Sequence, residues 1–561
     1  MTDSNSNRDF EDSGDESSFY GFDDEDQDHS RASDGSDVDF GGLASEDDDS
    51  SGENDQEDED GQQEWTDQLT DFQIPDYDLA AEIRFPLPAV PKEIDFFSAF
   101  VGDDLWDWLV YQTNFYARQK LTTFPRRLAK FTDVTRQEMK AYFGIRIIMG
   151  IVRLPSIALY WSTDDFFGNV GIKKVMTKNR FEEINAFLHF NDSTREPARG
   201  TDGFDRLYKV RPVIDYVKGN FLSNFQPSKN ISVDEGMIAY KGRVSFRQYM
   251  PQKPTKYGIK VWMAADSSNG YILNFNTYLG KEVGQTLTHG LGYRVVTRLV
   301  QPFMNKNHHI FFDNFFSSVR LVEHLEAQDT FACGTVRVNR KGIPNAAKTK
   351  LKPGEKVVRQ KGNLVFTKWH DKRDVCILST NCSPIEPDFV VQRRGQNVNV
   401  SKPAVVGLYN SHMGGVDLND QLRQYYNIGR SSYKWYKYLF WFLIDVSICN
   451  SFILFNHHKV STGQTKCKQV AFRTLLAKQL IAGFCSDGSG KRKKIDSLSL
   501  DPLNAVKHFI VKIKGRKRGC VQCKRKGDKT AKNRAIETTF ECLQCGVALC
   551  KMECFRDYHQ G

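Results

Sequence analysis

Two aspartates three residues apart follow a glycine pair in the stretch HMGGVDLNDQL, residues 412–422. If a helix begins there, Asp417 and Asp420 lie on one face of it. Two interpretations fit this local pattern. Asp is common at a helix N-terminus, where the helix dipole stabilises negative charge. Carboxylates at this spacing also suit a divalent-cation site, so the rest of the chain must decide between a helix cap and a metal site.

Two more acids stand in, or just after, runs of residues that favour β-strands. Asp234 lies in ISVDEGM, where alternation places it on the face opposite to Val233 and Glu235. Asp313 ends the apolar run HIFFD. An acid at the end of a buried strand usually begins a turn or caps the next helix. The alternative is that it points into a site at the carboxyl edge of the sheet.

Three carboxylates brought together without bases repel one another, and a protein tolerates them mainly when divalent cations neutralise the charge. Mg²⁺, or Mn²⁺ in its place, prefers oxygen ligands and is commonly held by carboxylates and substrate phosphates. Two such ions suit in-line phosphoryl transfer, because they activate a water or a 3′-hydroxyl and stabilise the leaving oxygen. The residues alone leave open whether Asp234, Asp313 and Asp417 meet in this way.

Half of the 12 cysteines lie in the last 42 residues, at spacings typical of metal ligands. Two C-x-x-C pairs predict a closed structural Zn²⁺ site, and three further ligands indicate a second one. This makes seven ligands for eight positions, so the pairing stays open, and His508 is one candidate for the eighth. A protein-interaction module is the alternative role. The seven ligands are Cys520, Cys523, Cys542, Cys545, Cys550, Cys554 and His559.

Six residues near the acids have side chains suited to contact with phosphates or bases. Trp435 equally suits the core of the apolar helix that follows it. The six are Lys253, Lys256 and Lys260 after the first acid, and Arg430, Lys434 and Trp435 after the third.

Charge is distributed unevenly along the chain. Residues 1–60 hold 24 acids and only two bases, which leaves 75 basic and 46 acidic residues in the remainder, a surplus of 29. A body this basic predicts a nucleic-acid partner. Residues 1–75 have few apolar side chains and are predicted to be an acidic disordered tail. The N-terminus has no signal-peptide pattern, and the cysteine usage fits a cytosolic or nuclear compartment.

The apolar stretch YLFWFLIDVSICNSFILF, residues 438–455, is nearly long enough to span a bilayer. Asp445 in its middle would cost about 2.5–3.5 kcal/mol on insertion scales. We therefore predict a helix buried in the protein core and no membrane association.

The elements that must position these residues follow from periodicity. Apolar residues at helical spacing run through residues 90–230, and short β-rich runs begin at residue 231. Three hairpin strands, a strand, a helix and another strand predict a mixed α/β sheet over residues 231–339. The remaining predicted segments are a β-rich insertion at 340–403, the end of the α/β core at 404–422, helices at 423–487, a basic linker at 488–517 and the cysteine-rich domain at 518–561.

Four blocks resemble the signature blocks of piggyBac transposases, in the family's order: SVDEGMIAYKGRVSFRQYMPQKPTKYGIKVWMAADSSNGY, IFFDNFFSS, GTVRVNRKGIP and MGGVDLNDQL. The resemblance covers roughly residues 90–561. It implies an α/β multidomain protein with an RNase H-like mixed-sheet catalytic core. It also implies a DDD metal site formed by Asp234, Asp313 and Asp417, with Asp420 as an auxiliary acid.

The same resemblance implies a split all-α dimerisation and DNA-binding domain and a C-terminal domain that binds transposon ends. A piggyBac-like enzyme is a homodimer in the nucleus that acts on double-stranded DNA, by cut-and-paste excision and insertion at TTAA. Two alternatives remain open. One is a domesticated descendant that binds DNA or chromatin without transposing, and the other is a nuclear regulator built around the zinc module. The sequence contains no P-loop, HExxH or GxSxG motif.

Overall fold

The computed structural model describes residues 64–123, 131–251, 255–280, 289–392, 399–482, 484, 510–513, 515–530, 533–542, 545–550 and 553–560. The chain divides into two compact units, one within Met1–Gly488 and one within Ser489–Gly561. The linker residues 488–509 and His508, singled out from the sequence, therefore lie outside the described residues.

The first part of the larger unit is helical, as the periodicity predicts. Helix α3 shows why: Thr135 caps it by accepting a hydrogen bond from the backbone N–H of Glu138, and apolar residues fill the buried side of the helix. The helices of this part are α1 (Glu93–Ser98), α2 (Asp103–Thr123), α3 (Arg136–Ile151), α4 (Val170–Val175), α5 (Lys178–Phe187) and α6 (Arg211–Ser223).

A nine-stranded mixed sheet forms the centre of this unit. Strand β3 lies between β5, which is antiparallel to it, and β7, which is parallel to it. Strand β8 continues the parallel pairing beyond β7, and β6 and β4 both pair with β5. The strands are β3 (Asn230–Ala239), β4 (Gln248–Tyr249), β5 (Tyr257–Asp266), β6 (Ile272–Thr277), β7 (His309–Phe312), β8 (Phe331–Thr335), β9 (Lys356–Lys361), β10 (Leu364–His370) and β11 (Asp374–Ser379).

The region predicted as a β-rich insertion extends the central sheet. Strand β11 pairs with the free edge of β8 in antiparallel register, with Leu378 opposite Gly334, and β10 and β9 follow it. Two more strands, β12 (Phe389–Gln392) and β13 (Asn399–Lys402), form a separate antiparallel ribbon.

The later helices surround the sheet and complete the core. Two of them, α7 and α8, precede and follow β7, and the others come after β13. They are α7 (Leu291–Val300), α8 (Val319–Glu326), α9 (Ala404–His412), α10 (Gly415–Tyr425), α11 (Trp435–Ser461) and α12 (Gln469–Ile481).

Among the described residues, α11 alone is long and apolar enough to cross a membrane, and 89% of its most apolar window is buried inside the protein. Its polar residues have partners within the fold. Asn450 exchanges two hydrogen bonds with the backbone of Ile272. Asp445 accepts hydrogen bonds from Arg473 of α12, at 2.9 Å, and from the backbone N–H of Ile428. Helix α11 is therefore a core helix of this unit.

The prediction of a disordered tail over residues 1–75 is wrong for residues 64–75. Thr66 and Gln360 exchange two backbone hydrogen bonds, so this segment covers the edge of β9. Trp65 donates its indole N–H to the carbonyl of Gly342 at 2.8 Å and packs edge-on against Phe366. The acidic composition of the tail concealed these contacts, because their partners lie far along the chain. Residues 64–83, which we call the N-terminal strap, end in β1 (Glu82–Ile83), paired with β2 (Phe225–Gln226).

The C-terminal unit is small, with a core made largely of cysteines and Leu549. Two antiparallel strand pairs and two short helices frame it. They are β14 (Ile510–Lys512), β15 (Arg518–Gly519), β16 (Glu537–Thr538), β17 (Phe540–Cys542), α13 (Val521–Lys526) and α14 (Glu553–Gln560).

The buried pair of Asp445 and Arg473 makes a testable prediction. Substituting Arg473→Met should lower the free energy of unfolding by about 3–5 kcal/mol, because it leaves a buried carboxylate without its cation. Urea denaturation of the full chain, followed by tryptophan fluorescence, measures the change. Arg118→Met is the matched control, since Arg118 and Asp133 form an ion pair on the surface and such pairs contribute about 0–1 kcal/mol. Equal effects of the two substitutions would contradict the role given to the buried pair.

Candidate active site and zinc centre

Strands β3 and β7 bring the first two acids side by side. The parallel register pairs Val233 with Phe312. The residues that follow this pair, Asp234 in β3 and Asp313 just after β7, are therefore neighbours across the two strands. One carboxylate oxygen of Asp234 accepts the backbone N–H of Glu235 at 2.7 Å, and one of Asp313 accepts that of Phe315 at 3.0 Å. Each carboxylate is thus oriented by the backbone that follows it.

Tyr409 of α9 reports on both acids. Burial and the negative charges of Asp313 and Asp234 raise the pKa of the Tyr409 phenol to about 12, against the effect of a hydrogen bond with Thr335. The Tyr409 phenol therefore lies within electrostatic reach of both carboxylates.

Helix α10 carries the remaining two acids across the face of β3 that bears Asp234. Ser232, Asp234 and Gly236 share this face because side chains alternate along a strand. A Cβ atom at Gly415 would lie 2.5 Å from Ser232 Oγ, and one at Gly236 would lie 3.7 Å from both carboxylate oxygens of Asp420. The helix therefore passes over Asp234 between its first and second turns.

The cap residue of α10 is Gly414, so neither acid has the N-cap role considered from the sequence. Asp417 lies in the first turn, where the helix dipole stabilises its charge. Its side chain is exposed, and no hydrogen bond or ion pair joins it to any residue that the structure describes. Asp420 differs, because it accepts a hydrogen bond from Arg423 at 2.7 Å.

The residues predicted to contact DNA fall into different environments. Lys256 is exposed, and Lys253 lies outside the described residues. Lys260 is only 7% exposed, with Nζ 4.9 Å from the ring centre of Phe315. Lys434 is also 7% exposed and donates to the Tyr116 hydroxyl at 3.4 Å. Because both ammonium groups lie against aromatic rings inside the protein, we withdraw the prediction of phosphate contact for these two lysines.

Arg430 and Trp435 also have partners within the fold. Arg430 donates to the carbonyl of Met149, at the end of α3, and to the Tyr160 hydroxyl, both at 2.6 Å. It therefore stabilises a helix C-terminus in this structure. Trp435 is half-buried, and its ring lies edge-on to Phe246 at 5.3 Å. The half-exposed ring fits the core interpretation and leaves part of its surface open to a ligand.

Sequence reasoning missed three residues that shape the candidate site: Gly415, Arg423 and Tyr409. The glycine pair was a usable signal, since a glycine at the start of a helix often marks a close approach of two backbones. Arg423 and Tyr409 carried no such signal, because their roles depend on partners from other elements.

Four cysteines of the C-terminal unit meet in one place, with all four sulfur atoms within 4.8 Å of one another. They are Cys520, Cys523, Cys550 and Cys554. The first C-x-x-C pair thus shares one cluster with the last two cysteines of the sequence. The spacing alone had left open which cysteines belong to the same site. Tetrahedral coordination by four thiolates is typical of structural Zn²⁺.

The backbone prepares one of these thiols for metal binding. Cys520 caps α13, and its sulfur accepts the backbone N–H groups of Cys523 and Cys550 at 3.5 and 3.3 Å. Although burial raises the pKa of Cys520, these hydrogen bonds outweigh it and lower the pKa to about 7. A thiol with this pKa is readily deprotonated, as a zinc ligand must be.

The second C-x-x-C pair lies apart from this cluster. Burial and a hydrogen bond with Cys542 raise the pKa of Cys545, so these two thiols are neighbours. His559 belongs to α14, and its side chain lies outside the described residues. The second zinc site therefore stays a prediction.

Comparison with known proteins identifies the chain's relatives. A family model described as "Transposase IS4" matches residues 92–452, and one described as "DDE_Tnp_1-like zinc finger" matches residues 504–560. The chain is 27% identical over 490 residues to the Homo sapiens PiggyBac transposable element-derived protein 3, covering 85% of this chain and 77% of that protein. It is also 27% identical over 446 residues to the Homo sapiens PiggyBac transposable element-derived protein 2, covering 77% of this chain and 72% of that protein.

The fold is similar to that in the cryo-EM structure of a piggyBac transposase synaptic complex with hairpin DNA. The TM-score is 0.61 at 24% sequence identity, and the alignment covers 82% of this chain and 97% of the other. At this identity the similarity concerns the fold.

The smaller unit is a zinc-finger domain with a cluster of four cysteines. The transposase family model matches more than half of the length of the whole chain. The chain therefore belongs to the piggyBac family of DNA transposases.

Proposed function

We propose that this protein is a cut-and-paste DNA transposase in which Asp234, Asp313 and Asp417 form a catalytic triad dependent on Mg²⁺ or Mn²⁺. One observation carries the proposal. Helix α10 crosses the face of β3 that bears Asp234, and Asp313 follows the neighbouring parallel strand. This arrangement supports the proposal that acids far apart in the sequence act together at one site on the sheet.

The strand order supports an RNase H-like core. Strands β6, β5, β3, β7 and β8 are neighbours in that order, with the first three antiparallel and the last three parallel. If these five strands are renumbered 1 to 5 in their order along the chain, their order across the sheet is 3-2-1-4-5. Asp313 follows the carboxyl end of β7, and Asp234 lies at the same level in the middle of β3, so both are near the edge at which open α/β sheets commonly bind ligands.

The donor set fits a hard divalent cation. All three candidate ligands offer carboxylate oxygens, which Mg²⁺ prefers, and the Asp417 carboxylate is not engaged by any residue that the structure describes. Divalent cations bound there would activate the attacking water or 3′-hydroxyl and stabilise the leaving oxygen. The chain's own contribution is orientation, since backbone N–H groups fix Asp234 and Asp313 before any ligand arrives.

The wider assignment follows the family. We infer that the substrate is double-stranded DNA carrying the transposon's terminal repeats, that insertion occurs at TTAA, and that a homodimer acts in the nucleus. The helical segments at 90–230 and 423–487 serve dimerisation and DNA binding in this proposal, with Lys256 among the contacts to phosphate. The zinc-finger domain recognises the transposon ends.

The relatives favour a second candidate function. Two of them are named as proteins derived from transposable elements. A domesticated protein that binds DNA or chromatin without transposing is therefore the alternative. The first experiment below separates the two, since only an active transposase excises an element.

Single substitutions of the triad test the enzyme. Asp234→Ala, Asp313→Ala and Asp417→Ala should each lower excision by roughly a thousandfold, because metal-assisted stabilisation of the transition state amounts to several kcal/mol. Excision is measured on an element bounded by the terminal repeats that accompany this coding sequence, and end binding is measured by gel shift.

Asp202→Asn is the matched control for the triad, because Asp202 is exposed and its side chain forms no hydrogen bond or ion pair with any residue that the structure describes. Binding to the ends should persist in all four variants. Full excision by any triad variant would refute its assignment, and absence of excision by the unsubstituted chain would favour the domesticated alternative.

The zinc cluster makes a separate prediction. Cys554→Ser should remove about one Zn²⁺ per chain, since a site with four thiolate ligands loses its closed coordination. Metal content by atomic emission measures this loss, and the affinity for terminal-repeat DNA should fall at least tenfold. Cys382→Ser is the control, because Cys382 lies outside the cluster, in the larger unit. Unchanged zinc content in Cys554→Ser would overturn the cluster.

A further inference from the structure

Asp420 and Arg423 form an ion pair within α10, one turn after Asp417. The distance between Arg423 Nη2 and Asp420 Oδ1 is 2.7 Å. Arg423 is only 5% exposed, and its guanidinium carbon lies 4.6 Å from the ring centre of Phe442 on α11. The carboxylate of Asp420 lies against Gly236, on the face of β3 that also carries Asp234. The pair thus joins the acid face of the sheet to the core helix.

The buried guanidinium of Arg423 requires a counter-ion. Arginine stays protonated in proteins, and an uncompensated buried charge is costly. The other acid whose charge interacts with Arg423 is Asp445, which already accepts hydrogen bonds from Arg473 and the backbone of Ile428. Asp420 is the acid in direct contact with Arg423, and its side chain is mostly shielded from solvent.

Building on the proposed function, we propose that Arg423 is a positioning residue for Asp417 and that Asp420 is its fixed counter-ion, not a ligand of the catalytic cation. A divalent cation on Asp420 would stand next to a guanidinium in a region with little water. Like charges at such separations repel strongly when solvent is excluded. Within the part of the chain that the structure describes, no ion pair joins Asp417 to a cation.

Helix α10 is held at three points along its buried side. Gly415 lies against Ser232, and the Asn419 side chain donates to the carbonyl of Gly270 at 2.9 Å. The third point is the pair of Asp420 and Arg423 against Phe442. Asp417 is on the exposed side, so the orientation of its carboxylate follows from how these three contacts seat the helix.

The first experiment measures metal binding without turnover. Mn²⁺ is titrated into the full chain and the free ion is followed by electron paramagnetic resonance. Asp420→Asn should keep the Mn²⁺ affinity within twofold, because the asparagine carbonyl still accepts the hydrogen bond from Arg423 and keeps the helix in place, whereas Asp417→Asn should weaken the affinity at least tenfold. Equal weakening by both would overturn the inference and leave the triad intact. No Mn²⁺ binding by the unsubstituted chain, or no effect of Asp417→Asn, would instead count against the proposed function.

The second experiment tests the pair by rescue. Arg423→Gln alone should leave the Asp420 carboxylate unpaired beside the acid face and lower excision about tenfold. The double variant Asp420→Asn with Arg423→Gln should recover to within threefold of the unsubstituted chain, because two amides replace the ion pair by a neutral hydrogen bond. If the double variant lost excision activity by the product of the losses in the two single variants, the two residues would act independently and the inference would be overturned.

A folding control accompanies the rescue. Arg118→Gln removes the same kind of side chain from a pair on the surface. If Arg423→Gln lowered excision only by unfolding the chain, its thermal midpoint would fall with its activity and the metal affinity of the folded fraction would not change. We expect the Mn²⁺ titration of Arg423→Gln to change while the protein remains folded, and an unchanged titration would overturn the positioning role.

Discussion

The close approach of helix α10 to strand β3 is the contact on which the candidate site depends. A residue without a side chain makes it: a Cβ atom at Gly415 would collide with Ser232 Oγ and would lie 3.1 Å from backbone atoms of both Asp266 and Ser267. Backbones that approach this closely leave little room for the helix to slide or tilt. The sheet and the helix therefore fix the separation of the acids with main-chain rigidity, a property that flexible side chains could not supply.

Charge in this protein is sorted by depth. Near the acid face, Asp234 and Asp313 accept hydrogen bonds from backbone N–H groups and Asp417 is exposed, whereas three of the buried cations lie against aromatic rings. Lys260 faces Phe315, Lys434 faces Tyr116 and Arg423 faces Phe442. An aromatic face attracts a cation and adds no negative charge of its own.

Sequence reasoning succeeded where the signal is local. Alternation identified β3, and Asp445 within an apolar run marked α11 as a core helix. It failed where partners are distant. Tyr116 is 318 residues from Lys434, so the burial of that lysine has no local signature. Zinc-ligand pairing also escaped, because C-x-x-C spacing permits several closures. The prediction that the three acids meet came from family resemblance, since nothing in the spacing of Asp234, Asp313 and Asp417 requires it.

The N-terminal strap has a consequence for how the chain is made. Thr66 leaves the ribosome early, but the strand edge that it covers includes Gln360, 294 residues later. At ordinary synthesis rates of about 5–20 residues per second, the strap waits roughly 15–60 s for its partner. During that interval the helices that follow it are already available for packing. The part of the strap around Thr66 must then dock late, so residues that are synthesised early are among the last to find their native contacts.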